Sequence, residues 1–116
     1  MKSIEKQQKE VNNLLKLIKE NPELEILPMV DTECVFSDDY SYWMAEWGEA
    51  RIDEYWCSDE RAYFKNYEFD SLVEDWIDNN YEDYPELSDN ELEKIAEEKI
   101  NGYKWVKAII VYIRPL

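Results

Sequence analysis

Residues 51–78 read RIDEYWCSDERAYFKNYEFDSLVEDWID, and the period of the pattern changes inside this stretch. From Arg51 to Cys57 the chain alternates, with Ile52, Glu54 and Trp56 on one side and Arg51, Asp53, Tyr55 and Cys57 on the other, as an extended strand requires. Ser58-Asp59-Glu60 supplies a turn, and Arg61 to Asn66 reads as a short strand. Then Phe69, Leu72, Val73, Trp76 and Ile77 recur at i, i+3, i+4, i+7 and i+8, which is one face of a helix, with Asp70, Glu74, Asp75 and Asp78 opposite. Strands that give way to helices without a repeating βαβ unit point to an α+β domain.

Tyr42 to Trp47 is aromatic-rich and strand-like, and Gly48-Glu49 fits the two central positions of a type II′ hairpin turn. Together with the two strands after it, this predicts a three-stranded meander. Upstream, residues 3–20 form a helix with Ile4, Val11, Leu14, Leu15 and Ile18 on its apolar face, stopped by Asn21-Pro22. Leu24 to Val30 reads as a strand whose Pro28 calls for an edge position or a bulge.

Downstream, Ser88-Asp89-Asn90-Glu91 is a capping box with Leu87 and Leu92 as its hydrophobic staple. Leu92, Ile95, Ala96 and Ile100 give the buried face of that helix, and Asn101-Gly102 ends it with Gly free to adopt positive φ. Ala108 to Ile113 is apolar on both faces, so the last strand is central and covered on both sides. The expected order is α-β-β-β-β-α-α-β: a mostly antiparallel sheet of about four to five strands with three helices. At 116 residues the expectation is one domain, residues 1–116, with one core.

Composition excludes several chemistries. The chain has no histidine, so it lacks Ser-His-Asp and Cys-His machinery and an imidazole base. Gly48 and Gly102 are its only glycines, too few for a phosphate-binding loop. Cys34 and Cys57 share no metal-ligand spacing and read as free, half-buried thiols in strands. No apolar run is long enough to span a bilayer, and the polar start has no hydrophobic region of a leader, so a cytosolic location is expected.

The charge is very uneven. The formal net charge is −15. Residues 1–30 balance five Glu against five Lys, whereas residues 99–116 hold four bases and no acid. Residues 31–98 hold 23 acids against Arg51, Arg61, Lys65 and Lys94, and these acids are interleaved with Trp and Tyr as no disordered acidic tail would be. Direct nucleic-acid binding is disfavoured by repulsion of the phosphates. On a strand, alternate side chains lie about 6.7 Å apart, and on a helix i and i+4 about 6 Å apart. Rows of carboxylates on a rigid body therefore resemble a ladder of phosphates to a protein with a basic groove. The competing reading is that the charge serves solubility alone.

Adjacent acids such as Asp38-Asp39 and Glu82-Asp83 are numerous, but nothing specific arranges them for acid–base or metal catalysis. Asp31, Glu33, Asp38 and Asp39 have the oxygens a hard cation needs, without the pattern of a calcium loop. Among the tryptophans, Trp76 and Trp105 sit in core-like patterns, and Trp43 and Trp47 share a strand face expected to pack under a helix.

Ile26-Leu27-Pro28-Met29-Val30-Asp31, Tyr42-Trp43-Met44 with Trp47-Gly48, Arg51-Ile52-Asp53-Glu54-Tyr55, and Trp105 to Ile113 resemble small acidic proteins of phages, prophages and mobile elements of low-GC Gram-positive bacteria. The resemblance spans most of the chain. It carries no catalytic motif, and implies a setting in which DNA-mimicking anti-CRISPR and anti-restriction proteins are the comparison.

The reading that follows is a non-enzymatic inhibitor, without cofactor or metal, that blocks the basic nucleic-acid-binding groove of a host defence protein. Its candidate carboxylates are Asp38, Asp39, Glu46, Glu49, Asp53, Glu54, Asp59 and Glu60 in the meander and Glu74, Asp75, Asp78, Glu82 and Asp83 around the second helix. Tyr40, Tyr81 and Tyr84 are the candidate anchors. The rival readings are an immunity protein or antitoxin against a basic nuclease toxin, a carboxylate-only cation-binding protein or metal-dependent hydrolase, and a structural or regulatory phage protein whose charge does nothing specific.

Overall fold

Helix α1 (Ile4–Glu20) opens the fold of the computed structural model, which describes residues 4–116. Ser3, the expected first helical residue, lies outside the described residues. The helix buries Leu14 and packs Leu17 and Ile18 beside it, so its inner face is the 14, 17, 18 stripe. Leu15 and Ile4, expected on that face, are exposed. Asn21 ends the helix: its backbone N–H and its side-chain amide both donate to the Leu17 carbonyl at 3.0 Å, and Pro22 has no N–H to continue the ladder.

Four strands follow, β1 (Glu25–Val30), β2 (Ala45–Cys57), β3 (Ala62–Phe64) and β4 (Val106–Pro115), in the sheet order β1-β4-β2-β3. The sheet is mixed. β1 runs parallel to β4, Glu25 opposite Ala108 through Val30 opposite Ile113, while β2 and β3 pair antiparallel, Tyr55 opposite Phe64. β1 is an edge strand, which accommodates the missing N–H of Pro28. β4 lies between β1 and β2, and its Ala108, Ile109, Ile110 and Val111 are all buried, as its two-sided apolar pattern requires. The helices are α1, α2 (Lys65–Asn80) and α3 (Asp89–Asn101), so the α+β class is the one expected, and the elements follow the expected succession with the two strands expected on either side of Gly48-Glu49 merged into β2.

The meander differs in one respect. No hairpin forms at Gly48-Glu49; β2 runs straight through both residues, and Tyr42 to Met44 precede it as irregular chain. Gly48 is needed for a close approach instead. A Cβ there would sit 2.8 Å from the Tyr112 carbonyl oxygen and 2.8 Å from Arg114 Nε. Gly102 is likewise not in the expected positive-φ state, but at φ −79, ψ −4, its N–H shared between the Glu98 and Lys99 carbonyls.

Two compact units divide the chain, Met1–Asp53 with Lys107–Leu116, and Glu54–Val106. In the first, Leu14, Ala50, Ile109 and Val111 form the core, extended by Leu17, Ile18, Leu24, Ile52 and Ile113. Asn13 adds a bond from its side-chain amide to the Ala50 carbonyl at 3.0 Å, fixing α1 against β2. In the second, α2 and α3 pack through Leu72, Val73, Ala96 and Ile100. Around them lie Trp56, stacked 5.5 Å from Tyr63 and 4.4 Å from Tyr103, and Trp105, whose indole N–H donates to the Ile100 carbonyl at 2.8 Å. Trp76 and Trp105 are thus half-buried residues packed against this core.

The helix ends are set locally. Ser88 Oγ accepts the Glu91 N–H at 3.3 Å, and its hydroxyl donates to the Glu91 carboxylate at 3.0 Å. α2 starts without a side-chain cap on Phe64; Glu68, one turn in, accepts the Phe64 N–H at 2.8 Å and also pairs with Arg61.

Candidate functional site

The expected carboxylates separate into two groups. Four of the eight in the meander are paired with cations at home. Glu46 pairs with Lys6 at 3.9 Å, Glu49 with Arg114 at 3.3 Å and Glu54 with Lys65 at 3.6 Å. Asp53 is buried, with Arg51 at 3.8 Å, so it belongs to the interior of its unit and presents no charge to a partner. Asp59 and Glu60 are exposed in the tight turn that Ser58 closes, where Ser58 Oγ accepts the N–H groups of Glu60 and Arg61 at 3.2 Å. Asp38 and Asp39 are exposed in the segment before β2, and the Ser37 hydroxyl donates to Asp39 at 3.1 Å.

The acids around α2 behave differently. Between Asn66 and Glu93 the chain has no Lys or Arg at all, yet it carries Glu68, Asp70, Glu74, Asp75, Asp78, Glu82, Asp83, Glu86, Asp89, Glu91 and Glu93. All but Glu68 are exposed. The reason is the helix period. Leu72, Val73 and Trp76 turn inward, which leaves Asp70, Glu74 and Asp78 at i, i+4 and i+8 as one outer row with Asp75 beside it. The 3-10 turn Tyr81–Asp83 follows, with Glu82, Asp83 and Tyr81 exposed and the Tyr81 hydroxyl 3.3 Å from Glu82. Tyr84 is half-buried, its ring 5.9 Å from that of Trp76.

Packing of α3 against α2 adds residues that sequence reasoning did not select. Asp70 and Glu74 of α2 and Glu93 and Glu97 of α3 border a groove of about 450 Å³ with Val73 and Ile77 also lining it. A second depression of about 490 Å³ is lined by Asp83, Tyr84, Pro85, Glu86, Leu87 and Ile95. The available signal for Glu93 and Glu97 is their i, i+4 spacing along the flank of the Leu92, Ala96, Ile100 stripe; their facing of α2 follows only from the tertiary packing.

Chemically, these groups are solvated carboxylates. What they offer is a concentrated negative potential on a stiff helical frame, which attracts cations over about a Debye length, roughly 8–10 Å at moderate salt. Among the described residues, no group of three or more Cys, Asp and Glu side chains is arranged to hold a metal ion. Asp31 serves its own backbone: its Oδ1 caps the 3-10 turn Thr32–Cys34 by accepting the Glu33 N–H at 2.9 Å. Cys34 is a buried free thiol in that turn and Cys57 an exposed one at the end of β2, where half-buried strand positions were expected. Trp43 and Trp47 also depart from expectation. Trp47 is 42% exposed, and Trp43 packs edge-on against Phe36 and Tyr40 instead of under a helix.

No helix among the described residues is long and apolar enough to cross a membrane. No family model matches the chain, and neither a curated protein nor a solved structure does.

Proposed function

We propose that the protein is a non-enzymatic inhibitor that occupies the basic nucleic-acid-binding groove of a defence protein, such as a CRISPR effector or a restriction nuclease, by presenting nucleic-acid-like charge. The observation that carries this reading is the 66–93 stretch. It folds ten exposed acids, without one Lys or Arg, onto α2, the following 3-10 turn, the loop after it and the start of α3.

Two features support mimicry over simple solubility. The first is compensation elsewhere: Lys6, Arg51, Lys65 and Arg114 are spent on acids outside this stretch, so the α2 row keeps its full charge. The second is rigidity. Asp70, Glu74 and Asp78 advance about 6 Å per step along a helix held by a buried apolar face, so the array costs little ordering entropy on binding. A basic groove would meet a pre-arranged set of anions, with fast and salt-sensitive association.

The test is capture on the immobilised protein from a bacterial lysate at low salt, followed by a salt ramp. The expected eluate is a nucleic-acid-binding protein whose DNA binding the inhibitor displaces. The quadruple variant Glu74→Lys, Asp75→Lys, Asp78→Lys, Glu82→Lys, with an unchanged circular-dichroism spectrum, is expected to lose that capture. Capture that survives the reversals, or that is indifferent to salt between about 0.1 and 0.5 M, rejects the proposal.

A further inference from the structure

The chain has three arginines, and all three are used in the same way. Arg61 lies over the ring of Tyr63, 4.2 Å from its centre, and pairs with Glu68. Arg51 lies 5.4 Å from the centre of the Tyr112 ring and pairs with Asp53. Arg114 lies 5.9 Å from the centre of that ring and pairs with Glu49. Each guanidinium thus has an aromatic face and a carboxylate; of the ten lysines, Lys65 shares the arrangement, its Nζ 5.6 Å from the centre of the Trp105 ring and 3.6 Å from Glu54. That is the combination a guanidinium favours, because its planar, weakly hydrated cation stacks and forks at once.

The segment before β2, with the first residues of β2, offers rings and carboxylates with no arginine of its own. Within thirteen residues, Val35, Phe36, Tyr40, Tyr42, Met44 and Trp47 are all exposed, Tyr42 to 93%. Asp38 and Asp39 are exposed among them, and from Glu20 to Ala50 the chain has no Lys or Arg. The segment is also held in shape. The rings of Phe36 and Tyr40 meet Trp43 edge-on at 5.2 and 5.4 Å, the Asp39 N–H donates to Ser37 Oγ, and the Asp31 N–H ties the segment's start to the Ile113 carbonyl at 2.9 Å. Large apolar side chains exposed together mark an interaction surface, and Tyr, Trp and Met are the residues that dominate hot spots.

We infer that residues 35–47 are a docking surface for an arginine-bearing segment of a partner protein, which seats guanidinium groups on the Phe36, Tyr40 and Tyr42 rings while Asp38 and Asp39 pair with them. Charge selects this occupant. Nucleic acid and anionic lipid are repelled by the two aspartates, and a second copy of the loop would bring like charges together. The inference rests on the reading that the protein binds a cationic partner, and adds which cation and where.

The test uses the full chain, labelled with ¹⁵N, and two synthetic probes of equal charge, deca-arginine and deca-lysine. Deca-arginine is expected to bind at least about twofold tighter, because the planar guanidinium stacks on a ring while it forks to a carboxylate and the ammonium does not fork. It is also expected to shift the amide signals of residues 35–47 and the indole signals of Trp43 and Trp47. Tyr42→Ala and, separately, Phe36→Ala remove exposed rings without disturbing the core, and both are expected to reduce the arginine preference. The α2 charge reversals are expected to weaken both peptides while leaving that preference in place.

Equal binding of the two peptides with an unperturbed 35–47 segment overturns the inference and leaves the proposed function standing. No binding of either peptide overturns both. Loop signals that respond to phosphatidylcholine vesicles or to protein concentration, and not to deca-arginine, assign the surface to a membrane or to self-association and overturn it as well.

Discussion

Arg51 donates from its guanidinium to the phenol oxygen of Tyr112 at 2.8 Å, joining β2 to β4 across 61 positions of sequence. The same guanidinium group faces Asp53, whose side chain is only 2% exposed. The desolvation of a carboxylate that far from water is offset by a cation that a neighbouring strand holds in place. Removing the cation is therefore the damaging change. Arg51→Ala is expected to cost about 3 kcal/mol, since it removes both the cation beside a buried carboxylate and the bond to Tyr112. Tyr112→Phe is expected to cost about 1 kcal/mol, the net worth of one hydrogen bond. Urea unfolding of both variants checks the ranking, and equal losses would show that Arg51 contributes its bond to Tyr112 and no compensation of the Asp53 carboxylate.

Gly48 and Gly102 are expected to respond oppositely to alanine. At Gly48 the new Cβ would meet the Tyr112 carbonyl oxygen and Arg114 Nε, each at 2.8 Å. The arginine can swing away but the strand carbonyl cannot, so Gly48→Ala is expected to lose roughly 1–3 kcal/mol. At Gly102 the nearest atoms are 3.4 Å away and φ is −79, so alanine fits. Gly102→Ala is expected to be neutral or to gain about 0.5 kcal/mol from a stiffer unfolded chain. Thermal or chemical unfolding distinguishes the two.

These glycines also show where a single sequence stops being legible. A glycine after an aromatic strand reads equally as a turn or as a site of close approach, and the strand that crowds Gly48 lies more than sixty residues further on. Asp53 is the same case among the acids. Its strand alternation was visible, but its burial depends on Arg51 and on β4, and nothing within β2 announces it. Features with local causes could be read: the Ser88 cap, the stop at Asn21-Pro22, the two-sided apolar run of β4 and the inward stripe of α2. For the candidate surface, the outward acids of α2 were readable from the period, whereas Glu93 and Glu97 join them only because α3 packs alongside.

Ser88→Ala is expected to destabilise the unit Glu54–Val106 by about 1 kcal/mol. The Ser88 oxygen accepts the Glu91 N–H, one of the donors a helix start cannot pair internally. Ser88→Asp should retain most of that stability, because a carboxylate caps as well as a hydroxyl and also faces the positive end of the α3 dipole. Hydrogen exchange at the α3 amides reads the effect directly, with faster exchange expected in the alanine variant and not in the aspartate one.

The acidic row of α2 carries a cost that a binding role explains and a purely structural role does not. Asp70, Glu74 and Asp78 are like charges at successive i, i+4 positions, all exposed and none in an ion pair among the described residues. Each such pair disfavours the helix by roughly 0.2–0.5 kcal/mol at low salt. Glu74 takes part in two of them. Glu74→Lys turns both repulsions into attractions, so it is expected to raise stability by somewhat under 2 kcal/mol while weakening binding to deca-lysine. Screening should act on the wild type in the same direction: its midpoint in urea, an uncharged denaturant, is expected to rise as NaCl is added, and the variant's to rise less. A variant that is less stable than the wild type, or a wild-type midpoint indifferent to salt, would show that the carboxylates are already balanced within the fold and leave no surplus of charge for a partner.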